Sequence, residues 1–293
     1  MSTTERFVNV NDVELCVQTF GDPADPAILL LHGAGHSLLA WDEEFIGRLV
    51  AGGRYVIRFD SRDAGRSTSY PVGAPTYGLQ DLAADAAALL VELGIPAAHV
   101  VGMSQGSGVA QLLALDHADR VTSLTLASGT PGGPGHWYDD LPGMSEEIQK
   151  LFADEPAQPD WTDRAAVIEY LVEAERPFSP RFDEDRMRTW SAQVADRTVN
   201  IAAQLTNPFL ISAGDPWRER LAELRVPTLV FHGADDPMFP IGHGQALAAE
   251  IPGAAFVPLE HTGHEVFPRH TWDSVVPAIL GHTGSEDREG PVR

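Results

Sequence analysis

The sequence predicts an α/β protein: a mostly parallel sheet of eight strands, helices on both its faces, and a helical insertion near the middle. Three observations predict it. Short apolar runs such as "PAILLLHG" and "PTLVFHG" are continuous rather than alternating, the pattern of strands buried on two faces. Segments of helical length and spacing lie between them, as parallel strands require of their crossovers. The alternation lapses between Pro131 and about Leu221 and then resumes.

Taken in order, "RFVNVNDVELCVQTFG" alternates on both sides of Asn11-Asp12, a hairpin signal. "AILLLHG" is the first buried strand, and a helix is expected over Trp41 to Ala51. "YVIRFD" follows, then a helix from Leu79 to Leu93 with Gly94 as its stop. "HVVG", a helix from Gly106 to Asp116 and "VTSLTLAS" complete the first half. "TPGGPG" then opens the insertion, in which "DWTDRAAVIEYLVEAE" and "DEDRMRTWSAQVADR" read as charged helices. "PTLVFHG", a helix from Gln245 to Ile251, "AAFVPLE" and a helix from Thr271 to Leu280 close the chain. The expected organisation is a core of residues 1–131 and 221–283, a helical cap of 132–220 over the sheet's carboxyl edge, and a solvated tail of 284–293.

Trp137, Trp161, Trp190 and Trp217 fall in the cap with Phe152, Phe178, Phe182 and Phe209. Taken singly, each is expected to pack the cap's own small core. Together they suggest an apolar roof, with Trp137, Trp190 and Trp217 as candidate pocket residues.

The bulk composition narrows the partners. The chain has 293 residues and a formal net charge of -22, from 42 acids against 20 bases. Counterion release needs basic surface, so neither a polynucleotide nor an anionic membrane is an expected partner. The single cysteine, Cys16, excludes an intrachain disulfide, and its place in "VELCVQTF" suggests a packed thiol. No apolar run has the length of a signal core or a membrane span. A cytoplasmic enzyme or binding protein, monomeric or homodimeric and taking a small molecule, is the expectation.

The chemistry centres on "GMSQG". A strand that turns abruptly into a helix presents its turn residue beyond the sheet's carboxyl edge, where ligands of open parallel sheets gather. The cramped turn needs small neighbours, which Gly102 and Gly106 supply. Ser104 also sits at a helix amino terminus, which favours developing negative charge. A hydroxyl attacks poorly without a base, and the base needs a carboxylate to orient it. His264, in "LEHTGHEVFP" after the last strand, is preferred over His261 because Gly263 permits a tight loop. Asp236, fixed before Pro237, is preferred over Asp235. The order Ser104, Asp236, His264 is the chain order expected of such a triad. The backbone N–H groups of Gln105 and Ala34 would hold the oxyanion, with Gly33 and Gly35 keeping the second loop permissive. His32 and Gly35 are further pocket candidates, His32 more as an organiser of that loop. A zinc reading of the His261/His264 pair lacks further ligands, so no metal is expected. In "FDSRDAGRSTS", Arg62 or Arg66 could anchor substrate, but a hydrogen-bonded structural loop is favoured.

At this point the stretches "LLLHGAG", "FDSRDAGRS", "GMSQGSG", "FHGADDPMFP" and "HTGH" together resemble the α/β-hydrolases. More narrowly, "GDPADPAILLLHG", "IRFDSRDAGRST", "LAADAAALL" and "ALDHADRVTSLTL" are similar to bacterial aclacinomycin methylesterases, with macrolide esterases similar over the same stretches. The resemblance implies a cofactor-free serine esterase acting on a bulky polyketide ester or lactone. "HGAGHS" departs from the Met-Gly-Gly loop of the methylesterase group, and the cap matches least. Carbon–carbon bond hydrolysis or perhydrolysis could use an identical triad, and a ligand receptor could retain it. Dehalogenase and epoxide-hydrolase readings want an aspartate at position 104 and fail.

Overall fold

The computed structural model of the chain describes residues 4–154 and 157–284. Arg6–Val10 (β1) and Val13–Phe20 (β2) form the hairpin, with Asn11 and Asp12 at φ 44° and 64°. Two consecutive positive φ values match the twist of the flanking strands, and Asn and Asp tolerate that region best after glycine. Ala27–Leu31 (β3), Glu43–Ala51 (α1), Tyr55–Phe59 (β4), Leu79–Glu92 (α2), Ala98–Met103 (β5), Gln105–Asp116 (α3) and Val121–Ala127 (β6) follow. Between β6 and the next strand lie Glu146–Ala153 (α4), Arg164–Glu175 (α5), Glu184–Arg197 (α6) and Ile201–Thr206 (α7). The chain re-enters the sheet at Thr228–Gly233 (β7) and continues through Gly242–Glu250 (α8), Ala255–Leu259 (β8) and Trp272–Thr283 (α9).

The eight strands are ordered β1-β2-β4-β3-β5-β6-β7-β8. Only β2 runs against its neighbours, pairing antiparallel with β1 and β4, and all other pairs are parallel. The continuous apolar runs are explained by two cores, one on each face of the sheet. In β3, Leu29 and Leu31 enter the layer shared with α2 and α3, while Ile28 and Leu30 enter the layer shared with α1 and α9. Each such side chain contributes roughly 1.5–3 kcal/mol on full burial. Cys16 is buried, as its strand position suggested.

Several elements differ from expectation, among them α8, which starts at Gly242 rather than Gln245. The run "AAFVPLE" was expected to be buried on both faces, but β8 is the sheet's last strand and its Ala255 and Pro258 are exposed. An edge accommodates Pro258, which cannot donate to a further ladder. Helix α1 starts at Glu43 rather than Trp41, because the Asp42 carboxylate accepts from Glu44 N–H as an N-cap. Trp41 instead is fully buried beside Phe45. Helix α9 runs past Leu280 to Thr283, where Arg54 donates to the Leu280 carbonyl (2.9 Å) and the Thr283 hydroxyl (2.8 Å). Apart from Gly284, the expected tail lies outside the described residues.

The helical segment between β6 and β7, hereafter the cap, rests on the carboxyl edge of the sheet. Its own core joins Val167, Leu171 and Val194 with Trp161 and Trp190. Its footing is polar. Arg197 pairs with the fully buried Asp60 (2.7 Å) and with Glu5 (2.6 Å), and Asn207 donates to Asp63 (3.0 Å). Arg62 is committed to Asp85 (2.7 Å) and Arg66 to Glu5 (2.6 Å), so the "FDSRDAGRS" loop is a structural footing for the cap. Among the described residues, no helix is long and apolar enough to cross a membrane.

Candidate active site

Strand β5 ends at Met103 and α3 begins at Gln105, leaving Ser104 alone in the turn at φ 54° and ψ -117°. A serine rarely adopts that conformation, so the surroundings must impose it. They do so by close backbone crossings. A methyl group on Gly102 would run into the Gly106 carbonyl, and one on Gly106 would run into the Leu31 carbonyl. Glycine two residues either side of the serine is therefore a packing requirement.

His264, in the loop after β8, brings its Nε2 to 2.8 Å from Ser104 Oγ and its Nδ1 to 2.8 Å from Asp236 Oδ2. Its backbone N–H donates to the Phe178 carbonyl of the cap (2.9 Å), a crossing close enough that a side chain at Gly263 would overlap Phe178. Asp236 follows β7, and its Oδ1 accepts the N–H groups of Met238 (2.9 Å) and Phe239 (2.8 Å). His232 lies 3.6 Å behind it and donates through Nε2 to the Phe239 carbonyl (2.6 Å). Burial alone would raise the Asp236 carboxyl, but the adjacent His264, then His232 and the Phe239 N–H, hold it below the ordinary value. An ionised Asp236 fixes the proton on Nδ1 and leaves the Nε2 lone pair facing the serine hydroxyl. His261 and Asp235, the alternatives in the sequence, are exposed and stand outside this cluster.

The Gly33–Ala34–Gly35 loop lies against the serine: the place of a missing side chain at Gly33 is 3.3 Å from Ser104 Cβ. Gln105 is the first residue of α3, where an N–H has no intrahelical acceptor. The Gly35 carbonyl is held by Gln204 Nε2 from the cap (3.0 Å), and His36 by Glu175 (2.9 Å).

The pocket candidates fare differently. His32 uses Nδ1 on the Gly33 carbonyl (2.9 Å) and Nε2 on Ser61 N–H (3.2 Å), so it braces the loop. Gly35, at φ 73°, backs onto Phe209 and Leu205. Trp217 belongs to the core beneath α3, its Nε1 donating to Gln111 (3.3 Å), because it sits where the cap chain rejoins the sheet. Trp137, although 75% exposed, lines the cavity described below, and Trp190 donates to the Leu39 carbonyl (3.0 Å) from the cap's core. The rings that meet His264 are Phe178 (6.1 Å between centroids) and Phe239 (5.4 Å), the second outside the cap altogether. Phe239 and Met238 also wall a cavity of about 320 Å³ beneath residues 134–144. A larger groove of about 770 Å³ lies beside Tyr138, Arg218 and Glu250, and neither it nor the smaller cavity is lined by Ser104 or His264. Sequence reasoning missed His232, His36 and Glu175. The first two stood among eleven histidines with no spacing signal to separate them, and Glu175 was one acid in a charged helix.

A strained serine between strand and helix, an imidazole against its hydroxyl and a buried carboxylate behind, all at one edge of a mostly parallel sheet, define a serine-elbow hydrolase. The chain belongs to the alpha/beta hydrolase fold family, which it matches over residues 26–271, and it is an enzyme of that family. It is similar to the rhodomycin D methylesterase DauP of Streptomyces sp. strain C5, with 32% identity over 295 residues, 95% of this chain and 97% of that one. A 2-hydroxy-6-oxononadienedioate/2-hydroxy-6-oxononatrienedioate hydrolase of Burkholderia vietnamiensis is 28% identical over 271 residues, 90% of each chain. Among solved structures, the meta-cleavage product hydrolase of Pseudomonas fluorescens IP01 shares the fold, with a TM-score of 0.76 and 18% identity over 96% of this chain and 98% of that one.

Proposed function

We propose that this enzyme is a carboxylic-ester hydrolase that works through an acyl-enzyme on Ser104, with a bulky polyketide-type ester or macrolide lactone as substrate. The observation that carries the reaction is the unbroken run of two 2.8 Å contacts from Ser104 through His264 to Asp236 at a strained turn. His264 Nε2 takes the hydroxyl proton as Oγ attacks the carbonyl, and Asp236 stabilises the resulting imidazolium. The N–H groups of Gln105 and Ala34 hold the oxyanion, a pair in which each donor lowers the barrier by roughly 3–4 kcal/mol. Collapse of the intermediate breaks the carbon–oxygen bond, and the alcohol leaves with the proton from His264. Water then repeats the sequence, releasing the acid and restoring the serine. The steps draw on protein groups and water alone.

The substrate class rests on similarity to the methylesterase that acts on rhodomycin D. The largely apolar cavity beside Phe239 has the size of a small-molecule pocket and could take the body of such a molecule. Ser104→Ala tests the reaction. The variant should refuse a fluorophosphonate label and lose ester hydrolysis by roughly four to six orders of magnitude, with its thermal unfolding midpoint kept. Persistent labelling would move the nucleophile elsewhere. A second reading, hydrolysis of a carbon–carbon bond beside a ketone, is favoured by the similarity to the oxononadienedioate hydrolase. Faster turnover of a vinylogous diketone than of any methyl ester would establish it instead.

A further inference from the structure

His232 stands where the alternation of β7 calls for an apolar residue. It shares the strand face of Val230, in the layer that also holds Leu247 of α8, and it is fully buried. A polar ring at such a position is costly unless its N–H is used. Its Nε2 is 2.6 Å from the Phe239 carbonyl, which can only accept, so the proton lies on Nε2. Nδ1 has no hydrogen-bond partner among the described residues. Gly244 of α8 backs onto it, and a side chain there would come within 2.6 Å of that nitrogen. The ring is therefore neutral, in one tautomer and one orientation. Burial pushes the imidazole down against the pull of Asp236 and the Phe239 carbonyl, and His264 and His243, the other titratable groups facing it, push the same way as burial.

Phe239 is gripped by both its backbone groups. Its N–H donates to Asp236 Oδ1 (2.8 Å) and its carbonyl accepts from His232 (2.6 Å), while its ring meets the His264 imidazole edge-on (5.4 Å, 77°). Met238 N–H serves the same Oδ1 (2.9 Å). With Oδ1 so held, Oδ2 is left to His264 Nδ1 (2.8 Å), and the positive edge of His232 Nε2–H stands 3.6 Å behind Oδ2. We propose that His232 is a positioning residue for the hydrolysis: by closing the loop of residues 236–239 it keeps Asp236 presenting Oδ2 to His264, and so fixes the base against Ser104. This deepens the esterase reading and rests on it. His232 is too deeply buried to meet the substrate, and it acts through Asp236 and Phe239. The imidazolium that Asp236 stabilises forms only as Oγ attacks, so the effect of His232 belongs to that step and not to substrate binding.

The test follows methyl ester hydrolysis, fluorophosphonate labelling of Ser104 and the far-downfield proton resonance of the His264–Asp236 hydrogen bond in His232→Gln, His232→Phe and His232→Leu. Glutamine can place an amide N–H where Nε2 stands. Phenylalanine and leucine cannot, and leucine, being smaller, serves if phenylalanine overpacks the site. In either donor-free variant kcat should fall by roughly 100-fold, the loss that a misplacement of about 1 Å brings, with KM kept within about threefold. Labelling should slow in step, and the downfield resonance should shift or vanish. His232→Gln should keep the resonance and most of kcat. Native kcat with an unmoved resonance in a folded donor-free variant would overturn the proposal. So would an equal loss in all three variants in step with their thermal midpoints, the mark of a merely structural residue. A wild type that neither labels nor turns over esters, yet whose resonance still depends on a donor at position 232, would uphold the positioning of Asp236 and remove the esterase reading alone.

Discussion

Burial pushes the shifted histidines of this chain down, and at one of them a carboxylate reverses the outcome. His32 and His99 are each driven down to about 4 by burial, and His232, His243 and His282 move in the same direction. His36 moves up because Glu175 faces it. The consequences for stability have opposite signs. A histidine whose folded value is depressed contributes fully above the unfolded value of about 6.5 and loses that contribution as pH falls toward the folded value. For His32 the window is pH 6.5 to 4, at about 1.4 kcal/mol per unit. The raised His36 is complete below 6.5 and is lost only as pH climbs through its folded value. The urea midpoint should therefore drop between pH 6.5 and 5, above the range in which most carboxylates titrate. A flat midpoint across that interval would contradict the burial of neutral imidazoles.

At the scale of elements, the β5–α3 turn was legible because its cause is local. Gly102 and Gly106 must be bare for backbone to cross backbone within a few residues, and such a constraint prints itself as a fixed spacing. Replacing Gly106 with Ala should accordingly destabilise the fold by about 3 kcal/mol or more, since the new methyl meets the Leu31 carbonyl rather than a yielding side chain. Native unfolding temperature and full activity in that variant would show that the crossing is looser than described. Cap contacts carry no such local signature. His36 and Glu175 are 139 positions apart, and Trp190 reaches the Leu39 carbonyl across 151. The tryptophans were read as a roof from composition, yet burial in a particular core is decided by where a chain re-enters the sheet. Trp217 stands at that re-entry and packs inward. Phe239, carried by the Asp236 loop, supplies an aromatic wall that the cap was expected to provide. Gly263 permits the tight loop that points to His264, yet what requires a glycine there is the cap's Phe178 carbonyl, a contact no single stretch of sequence contains.

On the scale of the whole molecule, the sheet acts as an alignment device. Strands β5, β7 and β8 end on one edge, so residues 104, 236 and 264, far apart in the chain, meet there within hydrogen-bond distance. The cap is fastened to that edge mainly by polar footings, Arg197 on Asp60 and Glu5 among them, and its Phe178 carbonyl holds the His264 backbone. The cap therefore helps to place the base through a backbone contact. The most direct test is to trap the covalent intermediate. A slow aryl ester mixed with enzyme and quenched in acid within the first turnover should leave the acyl mass on the peptide that contains Ser104, in step with a burst of phenol. Acyl mass on any other residue, or a burst of phenol with no acyl-protein at all, would contradict the account.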